Sequence, residues 1–186
     1  MNAENLFLSC DSERAERPAS GPCYGSLDLR LGDCMDLMRR YADKHFDLAI
    51  VDPPYGIGQH GGHSNTQHTV RAAWDNETPP SFASCELAWT SYDRNAATWS
   101  GKTGNEVPVV DRIHPTQKPV ALYRWLLANY AKPGQRILDT HLGSGSHAIA
   151  AHYFGAHLTA CEIDADYYAA AVERVERETQ QLSLFQ

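Results

Sequence analysis

Apolar and polar residues alternate over residues 26–33, SLDLRLGD, where three leucines are separated by polar side chains. This period of two predicts a β-strand with one buried face. The next segment, residues 34–45, carries apolar residues at helical spacing and predicts a short helix. Residues 46–51, FDLAIV, become continuously apolar toward their end, which is typical of a buried parallel strand.

The C-terminal part of the chain alternates between the two kinds of pattern. It predicts a helix over 118–134, a strand over 135–140, a glycine-rich turn and helix over 142–156, a strand over 157–164 and a helix over 165–182. Strands that alternate with helices favour an α/β fold, with a mostly parallel, doubly wound sheet covered on both faces.

The middle of the chain has a different composition. Residues 56–113 are rich in Gly, Asn, Thr, Ser and Pro, with short apolar pieces at 85–89 and 96–99. This pattern predicts a long loop with one or two weak strands. Residues 1–25 are polar and predict a loose tail, so that 26–186 form a single domain.

The overall composition is that of an ordinary soluble protein. The 186 residues are 42% apolar and 21% charged, and no apolar run approaches the ~20 residues of a membrane helix. The first residues lack the pattern of a signal peptide, so we expect a cytoplasmic protein without a membrane role. The net charge of −7 does not favour nucleic-acid binding, although a local cleft can be basic on an acidic protein.

The cysteine and histidine patterns argue against metal sites and disulfide bonds. The five cysteines are scattered and form no CxxC pair, which is typical of reduced thiols. His60, His63 and His68 lie in GQHGGHSNTQH, where no Cys or carboxylate stands at ligand spacing. This segment predicts a polar loop, and we predict no metal.

The segment VDPPYGIG at 51–58 follows an apolar strand directly. Pro53 and Pro54 must end the strand, because proline cannot donate to a sheet ladder. Asp52 therefore lies at the strand end, and Tyr55 lies on a stiff tip. Taken alone, the segment is either a blunt turn or a catalytic loop.

A glycine-rich segment, ILDTHLGSGS, gives the strongest signal. A strand ends at Asp139, Gly143 and Gly145 permit a tight turn, and the following helix start offers free amides to an anionic group. Glu162 ends the next strand, a position from which an acid reaches the ribose hydroxyls of a nucleoside cofactor. The alternatives are a purely structural turn and an NAD-dependent oxidoreductase.

Four segments together resemble a known family: GDCMDL at 32–37, DPPY at 52–55, HPTQKP at 114–119 and DTHLGSGS at 139–146. They are similar to the S-adenosylmethionine-dependent DNA amino-methyltransferases, which modify adenine N6 or cytosine N4, and most similar to the phage-borne members. The catalytic segment precedes the cofactor segment, as in this branch of the family. The resemblance implies a Rossmann-like methyltransferase fold with permuted motif order, and double-stranded DNA as the partner.

The resemblance also implies roles for individual residues around S-adenosyl-L-methionine. The cofactor's adenine would lie near Asp33, its ribose hydroxyls at Glu162, and its methionyl end among Asp139, Gly143, Ser144, Gly145 and Lys118.

The DPPY segment would face the cofactor's methyl group. The carboxylate of Asp52 and the carbonyl of Pro53 would accept hydrogen bonds from the exocyclic amine, Pro54 would stiffen the loop, and Tyr55 would stack on a flipped-out base. Relatives that modify cytosine usually carry Ser in place of Asp52, so the acid favours adenine.

The interval 56–113, where the resemblance places target recognition, is shorter than in full-length relatives. The strand before DPPY would therefore lie near a sheet edge. This leaves a second hypothesis, a non-catalytic remnant that still binds S-adenosylmethionine. Cytosine-N4 specificity is a further alternative. Methylation of RNA or of protein glutamine is disfavoured, because those relatives usually have Asn in place of Asp52 and lack HPTQKP.

Overall fold

The computed structural model describes residues 6–8, 24–52, 72–75, 85–88, 90–93, 95, 97–100 and 112–180. In chain order the described elements are β1 Leu6–Leu8, β2 Leu27–Leu31, α1 Cys34–Met38, β3 Leu48–Ala49, β4 Ala72–Asp75, β5 Cys85–Ala88, β6 Ala97–Ser100, α2 Val120–Tyr130, β7 Arg136–Asp139, α3 Ser146–Phe154, β8 His157–Glu162 and α4 Ala165–Gln180. The chain divides into two compact units, one formed by 1–53 with 112–186 and the other by 54–111.

The first unit contains a five-stranded sheet in the order β1-β2-β8-β7-β3. Strands β2, β8, β7 and β3 run parallel, and β1 runs antiparallel to β2. The predicted α/β fold with a mostly parallel sheet is therefore confirmed. The prediction of an unstructured tail is wrong at Leu6–Leu8, because this short segment pairs with β2 and satisfies its backbone groups there.

Both faces of this sheet are covered, because successive strand residues point to opposite sides. Ile137 belongs to a large apolar cluster with residues of α2, α3 and α4, whereas the next residue, Leu138, packs with Leu37 of α1. In β8, Leu158 likewise belongs to the large cluster, and Cys161 packs with Leu37 on the other side. The sheet is thus doubly wound, as predicted, with three described helices over one face and α1 over the other.

Glycines in the left-handed conformation bound α3. It begins after Gly145, at φ 74°, and ends at Gly155, at φ 82°, whose amide donates to the carbonyls of Ala151 and His152. The next helix, α4, begins after Asp164, whose carboxylate accepts from the amides of Asp166 and Tyr167. These boundaries place one glycine-rich turn at the sheet's carboxyl edge.

The helix predicted over 34–45 is shorter than expected and ends at Met38. Tyr41 leaves the helical path because its ring packs on Phe46, with centroids 4.8 Å apart, and its hydroxyl donates to Asp28. Lys44 then adopts a positive φ of 61°, which no helix continues through. Aromatic packing has overridden the helical spacing of the sequence.

The strand predicted over 46–51 is also shorter, since only Leu48–Ala49 pair with β7. It lies at the end of the sheet order, as the short central interval implied. The prediction of a buried strand is wrong, because Leu48 is only partly buried, Ala49 is exposed and Val51 is 46% exposed. No described strand lies beyond β3 to cover it.

The second unit contains a three-stranded sheet in the order β5-β4-β6. Strand β4 pairs antiparallel with β5 and parallel with β6. The two weak strands predicted at 85–89 and 96–99 are therefore confirmed. Strand β4 was missed because AAWD carries two alanines, which are depleted in strands. The function of 56–113 as a recognition region, and its inclusion in a single domain, stay predictions.

Candidate functional site

The glycine-rich turn joins β7 to α3, and its two left-handed glycines serve different purposes. A Cβ on Gly145 would lie 2.8 Å from Cγ2 of Val175 and 3.3 Å from the carbonyl oxygen of Ala171, so α4 packs directly against this residue. A Cβ on Gly143, at φ 53°, would meet nothing closer than the oxygen of His141 at 3.9 Å. Gly145 is therefore required for helix packing, and Gly143 leaves the open side of the turn accessible to a ligand.

Glu162 ends β8 beside this turn and binds its backbone. One carboxylate oxygen accepts from the amide of Gly143 at 2.9 Å, and the other accepts from the amides of Ile163 and Asp164 at 3.0 and 3.2 Å. A carboxylate has about four lone-pair sites, so it retains capacity for a ligand hydroxyl while holding the turn.

Asp139 forms a buried pair with His147, a residue that the sequence analysis did not single out. Its Oδ2 lies 2.9 Å from Nδ1 of His147, and its Oδ1 accepts from the amide of His141 at 3.0 Å. The two side chains are 2% and 1% exposed, and the imidazole stacks on Tyr123. Nε2 of His147 is buried without a hydrogen-bond partner among the described residues. Both oxygens of Asp139 thus hold the turn in shape.

Asp33 lies at the carboxyl end of β2, where its carboxylate accepts from the amides of Met35 and Asp36 at 2.7 and 3.3 Å. It adjoins a cavity of about 120 Å³. The residues lining this cavity are Arg30, Leu31, Gly32, Asp33, Asp36, Leu37, Arg40 and Cys161. The cavity lies at the same edge of the sheet as Glu162, because β2 and β8 are adjacent and parallel.

Two side chains in the wall of this cavity, Cys161 and Arg30, are not available as reactive groups. Burial raises the pKa of the Cys161 thiol to about 12, so the thiol stays protonated and is no nucleophile near neutral pH. Hydrogen bonding to Asp28 raises the pKa of Arg30, whose Nε and Nη2 donate to that carboxylate at 2.9 and 2.7 Å. The cavity therefore offers shape and hydrogen-bonding groups rather than reactive ones.

Asp52 and Lys118 connect the end of β3 to the glycine-rich turn. Nζ of Lys118 lies 3.8 Å from Oδ2 of Asp52, and the two side chains are 15% and 32% exposed. The carbonyl of Lys118 accepts from the hydroxyl of Ser146, the first residue of α3, at 2.7 Å. The structure thus brings the predicted catalytic acid and the predicted cofactor turn together. Pro53, Pro54 and Tyr55 lie outside the described residues.

Arg174 of α4 is a further site residue that sequence reasoning missed. It is 8% exposed, and its Nη1 donates to the carbonyl of Ser144 and to the hydroxyl of Ser146, both at 2.9 Å. A signal was present, because Arg174 lies three residues after Ala171 and next to Val175, on the apolar stripe of the helix.

A second missed residue, Ile163, is 71% exposed immediately after Glu162. It lies at the carboxyl edge of the parallel sheet, the edge at which ligands bind in open α/β folds. The sequence carried no signal for its exposure, because Ile163 lies within the strand predicted over 157–164, whereas the observed strand ends at Glu162.

In the part of the chain that the structure describes, no group of three or more His, Cys, Asp or Glu side chains could hold a metal ion. His60, His63 and His68 lie outside that part. Among the same described residues, the helices are too short or too polar to cross a membrane.

Comparison with known proteins gives consistent matches. The model of the N6_N4_Mtase family, described as DNA methylase, matches residues 67–173. The Type II methyltransferase M2.DpnII of Streptococcus pneumoniae is 30% identical over 82 residues, which are 44% of this chain and 31% of that protein. The chain spans about a third of the length of the curated relatives that it matches.

Solved structures share the fold. The cytosine-N4-specific PvuII DNA methyltransferase superposes with a TM-score of 0.63 at 10% identity, over 89% of this chain and 96% of that one. The M1.HpyAVI–SAM complex superposes with a TM-score of 0.60 at 14% identity, over 80% of this chain and 98% of that one.

Proposed function

Because this chain belongs to the N6/N4 DNA methylase family, we propose that it transfers a methyl group from S-adenosyl-L-methionine to the N6 amine of adenine in double-stranded DNA. The observation that carries the proposal is the link between Asp52 and the glycine-rich turn. Lys118 lies 3.8 Å from the Asp52 carboxylate through its ammonium, and its carbonyl is hydrogen-bonded to Ser146 of the turn.

The described residues fit the cofactor. Gly143 leaves the turn open on one side, Glu162 keeps lone pairs for ribose hydroxyls, and Asp33 borders a cavity that can receive part of the adenine. The exposed side chain of Ile163 is proposed to contact the adenine ring. When bound, S-adenosylmethionine supplies an electrophilic methyl group on a sulfonium. M1.HpyAVI, which has the same fold, forms a complex with SAM.

Asp52 would act as the acceptor for the exocyclic amine. The amine's lone pair is delocalised into the base, and an acceptor that draws one amine hydrogen makes that pair more available for attack. The carboxylate can also take the proton that the amine loses, and release it to water. The ammonium of Lys118, 3.8 Å from the Asp52 carboxylate, restricts the orientation of that carboxylate. The carbonyl of Pro53 is proposed as the second acceptor, and Tyr55 as the stacking surface for the flipped base.

The test is methyl transfer from labelled S-adenosylmethionine to unmethylated duplex DNA, followed by digestion and identification of the labelled nucleoside. The wild type should yield N6-methyladenine, and Asp52→Ala should lose at least about 100-fold in rate, the usual contribution of a positioned proton acceptor. Asp43→Ala, the same chemical change at an exposed turn residue before β3, should keep full activity.

A specific observation favours a second candidate function, cofactor binding without transfer. The strand that precedes Asp52 has only two residues and lies at the end of the sheet order among the described strands. Wild-type protein that binds S-adenosylmethionine but labels no DNA would establish this candidate in place of the first. Labelled N4-methylcytosine would instead replace adenine by cytosine as the substrate base.

A further inference from the structure

Arg174 lies beneath the glycine-rich turn and bonds to two of its residues through one nitrogen. Nη1 donates to the carbonyl of Ser144 and to the hydroxyl oxygen of Ser146, both at 2.9 Å. Nε donates to Glu178 at 3.0 Å, one turn further along α4, which fixes the plane of the guanidinium. A guanidinium has donors and no acceptor, so Ser146 can only accept from it.

This contact determines the direction of the neighbouring hydrogen bonds. The hydroxyl of Ser146 has a single hydrogen, and it donates this hydrogen to the carbonyl of Lys118 at 2.7 Å. The hydroxyl oxygens of Ser144 and Ser146 lie 3.1 Å apart. Since the hydrogen of Ser146 is already used, Ser144 must be the donor in this pair. Its hydroxyl then has lone pairs, and no hydrogen, to offer any other group.

We propose that Arg174 and Ser146 are positioning residues that make Ser144 a hydrogen-bond acceptor and hold Lys118 against the turn, so that the turn selects the ammonium group of the cofactor's amino-acid end. An ammonium has three donors and no acceptor, which matches a hydroxyl that can only accept. Arg174 acts through Ser146 and does not touch the ligand. This inference rests on the proposed function, since it specifies how the same turn recognises its cofactor.

The test compares two ligands that share the adenosine and thioether groups. S-adenosylhomocysteine carries the amino-acid end, and 5′-methylthioadenosine lacks it. Calorimetry with Ser146→Ala should show S-adenosylhomocysteine binding weakened about ten-fold or more, because a hydrogen bond to a charged group loses its orientation. Binding of 5′-methylthioadenosine should be unchanged.

An equal loss for both ligands would show a general structural role and overturn the inference. Wild-type protein that binds neither ligand would instead contradict the proposed function itself. Ser146→Thr keeps the hydroxyl and should restore binding of S-adenosylhomocysteine to near the wild-type level, whereas a loss as large as that of Ser146→Ala would count against the hydroxyl.

A double-mutant cycle adds a measurement that does not depend on Ser146→Ala alone. Ser144→Ala removes the acceptor and should reproduce the ligand-selective loss. The double variant should then be no weaker than either single variant, because both changes remove one interaction. Independent, additive losses would overturn the proposed coupling. Arg174→Lys replaces the planar guanidinium by an ammonium, which is not shaped to bind Ser144 and Ser146 together. This variant should show the same loss of S-adenosylhomocysteine binding, with binding of 5′-methylthioadenosine unchanged.

Discussion

The two strands that lead to the candidate site differ in how many neighbouring strands they have and in how deeply their residues are buried. Strand β7, which leads to the glycine-rich turn, has a strand on each side, and its Ile137, Leu138 and Asp139 are buried. Strand β3, which leads to Asp52, has one described neighbour and an exposed residue, Val51, beside the acid. The proposed cofactor turn is therefore fixed by packing, whereas the proposed catalytic acid, Asp52, depends on local contacts such as the Lys118 ion pair.

Because of this difference, substitutions in the two regions should affect different properties of the protein. Changes around β7 and β8 should cost stability first, and changes around β3 should affect activity while the fold persists. The substitutions below test the stability part of this comparison.

The largest effect should come from Leu158→Ala in β8. The side chain is 1% exposed in the main cluster, and truncation of a buried leucine costs about 2–5 kcal/mol in unfolding free energy. Val51→Ala at the exposed edge should change it by less than about 0.5 kcal/mol. Urea denaturation followed by circular dichroism measures both. Similar losses for the two variants would remove the distinction between packed strand and edge strand.

A second comparison concerns two glycines with similar backbone angles. Gly145 and Gly134 have φ of 74° and 82°, so alanine adds comparable strain at both. Only Gly145 has α4 against it, with Val175 at 2.8 Å from the added Cβ, whereas nothing lies within 4 Å at Gly134. Gly145→Ala should therefore lose about 1–3 kcal/mol more than Gly134→Ala in the same denaturation experiment. Equal losses would mean that the turn is not pressed against α4.

Lowering the pH should reduce the stability of the fold through His152, which lies in α3. Burial lowers the pKa of this histidine below its usual 6.5, and its ring stacks on Tyr24. The unfolded chain therefore takes up the proton more readily, and stability should fall as the pH drops through 6.5 toward the folded-state pKa. His152→Phe keeps an aromatic ring at this position and removes the titratable group. Melting curves between pH 7.5 and about 5 should therefore show a melting temperature that depends less on pH than that of the wild type. An unchanged dependence would exclude His152 as the group.

The smallest effect should come from the ion pair that joins β3 to β7. Nε of Arg136 lies 3.8 Å from Oδ2 of Asp47, and the two side chains are 48% and 37% exposed. Arg136→Gln should change the unfolding free energy by less than about 0.5 kcal/mol. Asp47→Ala should cost more, about 1 kcal/mol, because the same oxygen also accepts the backbone amide of Arg136 at 2.8 Å. The reverse order would mean that the charges, rather than the amide, hold this edge.

The fold class and the site's general location could be predicted because they depend on local patterns. Alternating strands and helices require a parallel sheet, and the carboxyl ends of parallel strands bring Asp139 and Glu162 to one edge. The hydrogen bond from the amide of Gly143 to Glu162 joins two residues that the sequence analysis assigned to the same nucleoside cofactor.

Long-range side-chain contacts could not be predicted. The bond from Arg174 to Ser144 depends on the angle at which α4 crosses the turn, and the pairing of His147 with Asp139 depends on which face of α3 meets β7. Similarly, α1 ends early because of where Tyr41 and Phe46 meet in space. Each of these positions carries a residue type compatible with several outcomes, and packing selects one.

The strand order also has a kinetic consequence. The elements β7, α3, β8 and α4 follow one another within residues 136–180, whereas β2 and β3 find their parallel partners only in that late segment. Closing such long loops costs entropy, and distant contacts form more slowly than local ones. We therefore expect residues 136–180 to nucleate folding. During synthesis, β2 and β3 leave the ribosome before β7 and β8 and must wait, unpaired with them, until residues 136–162 have been made.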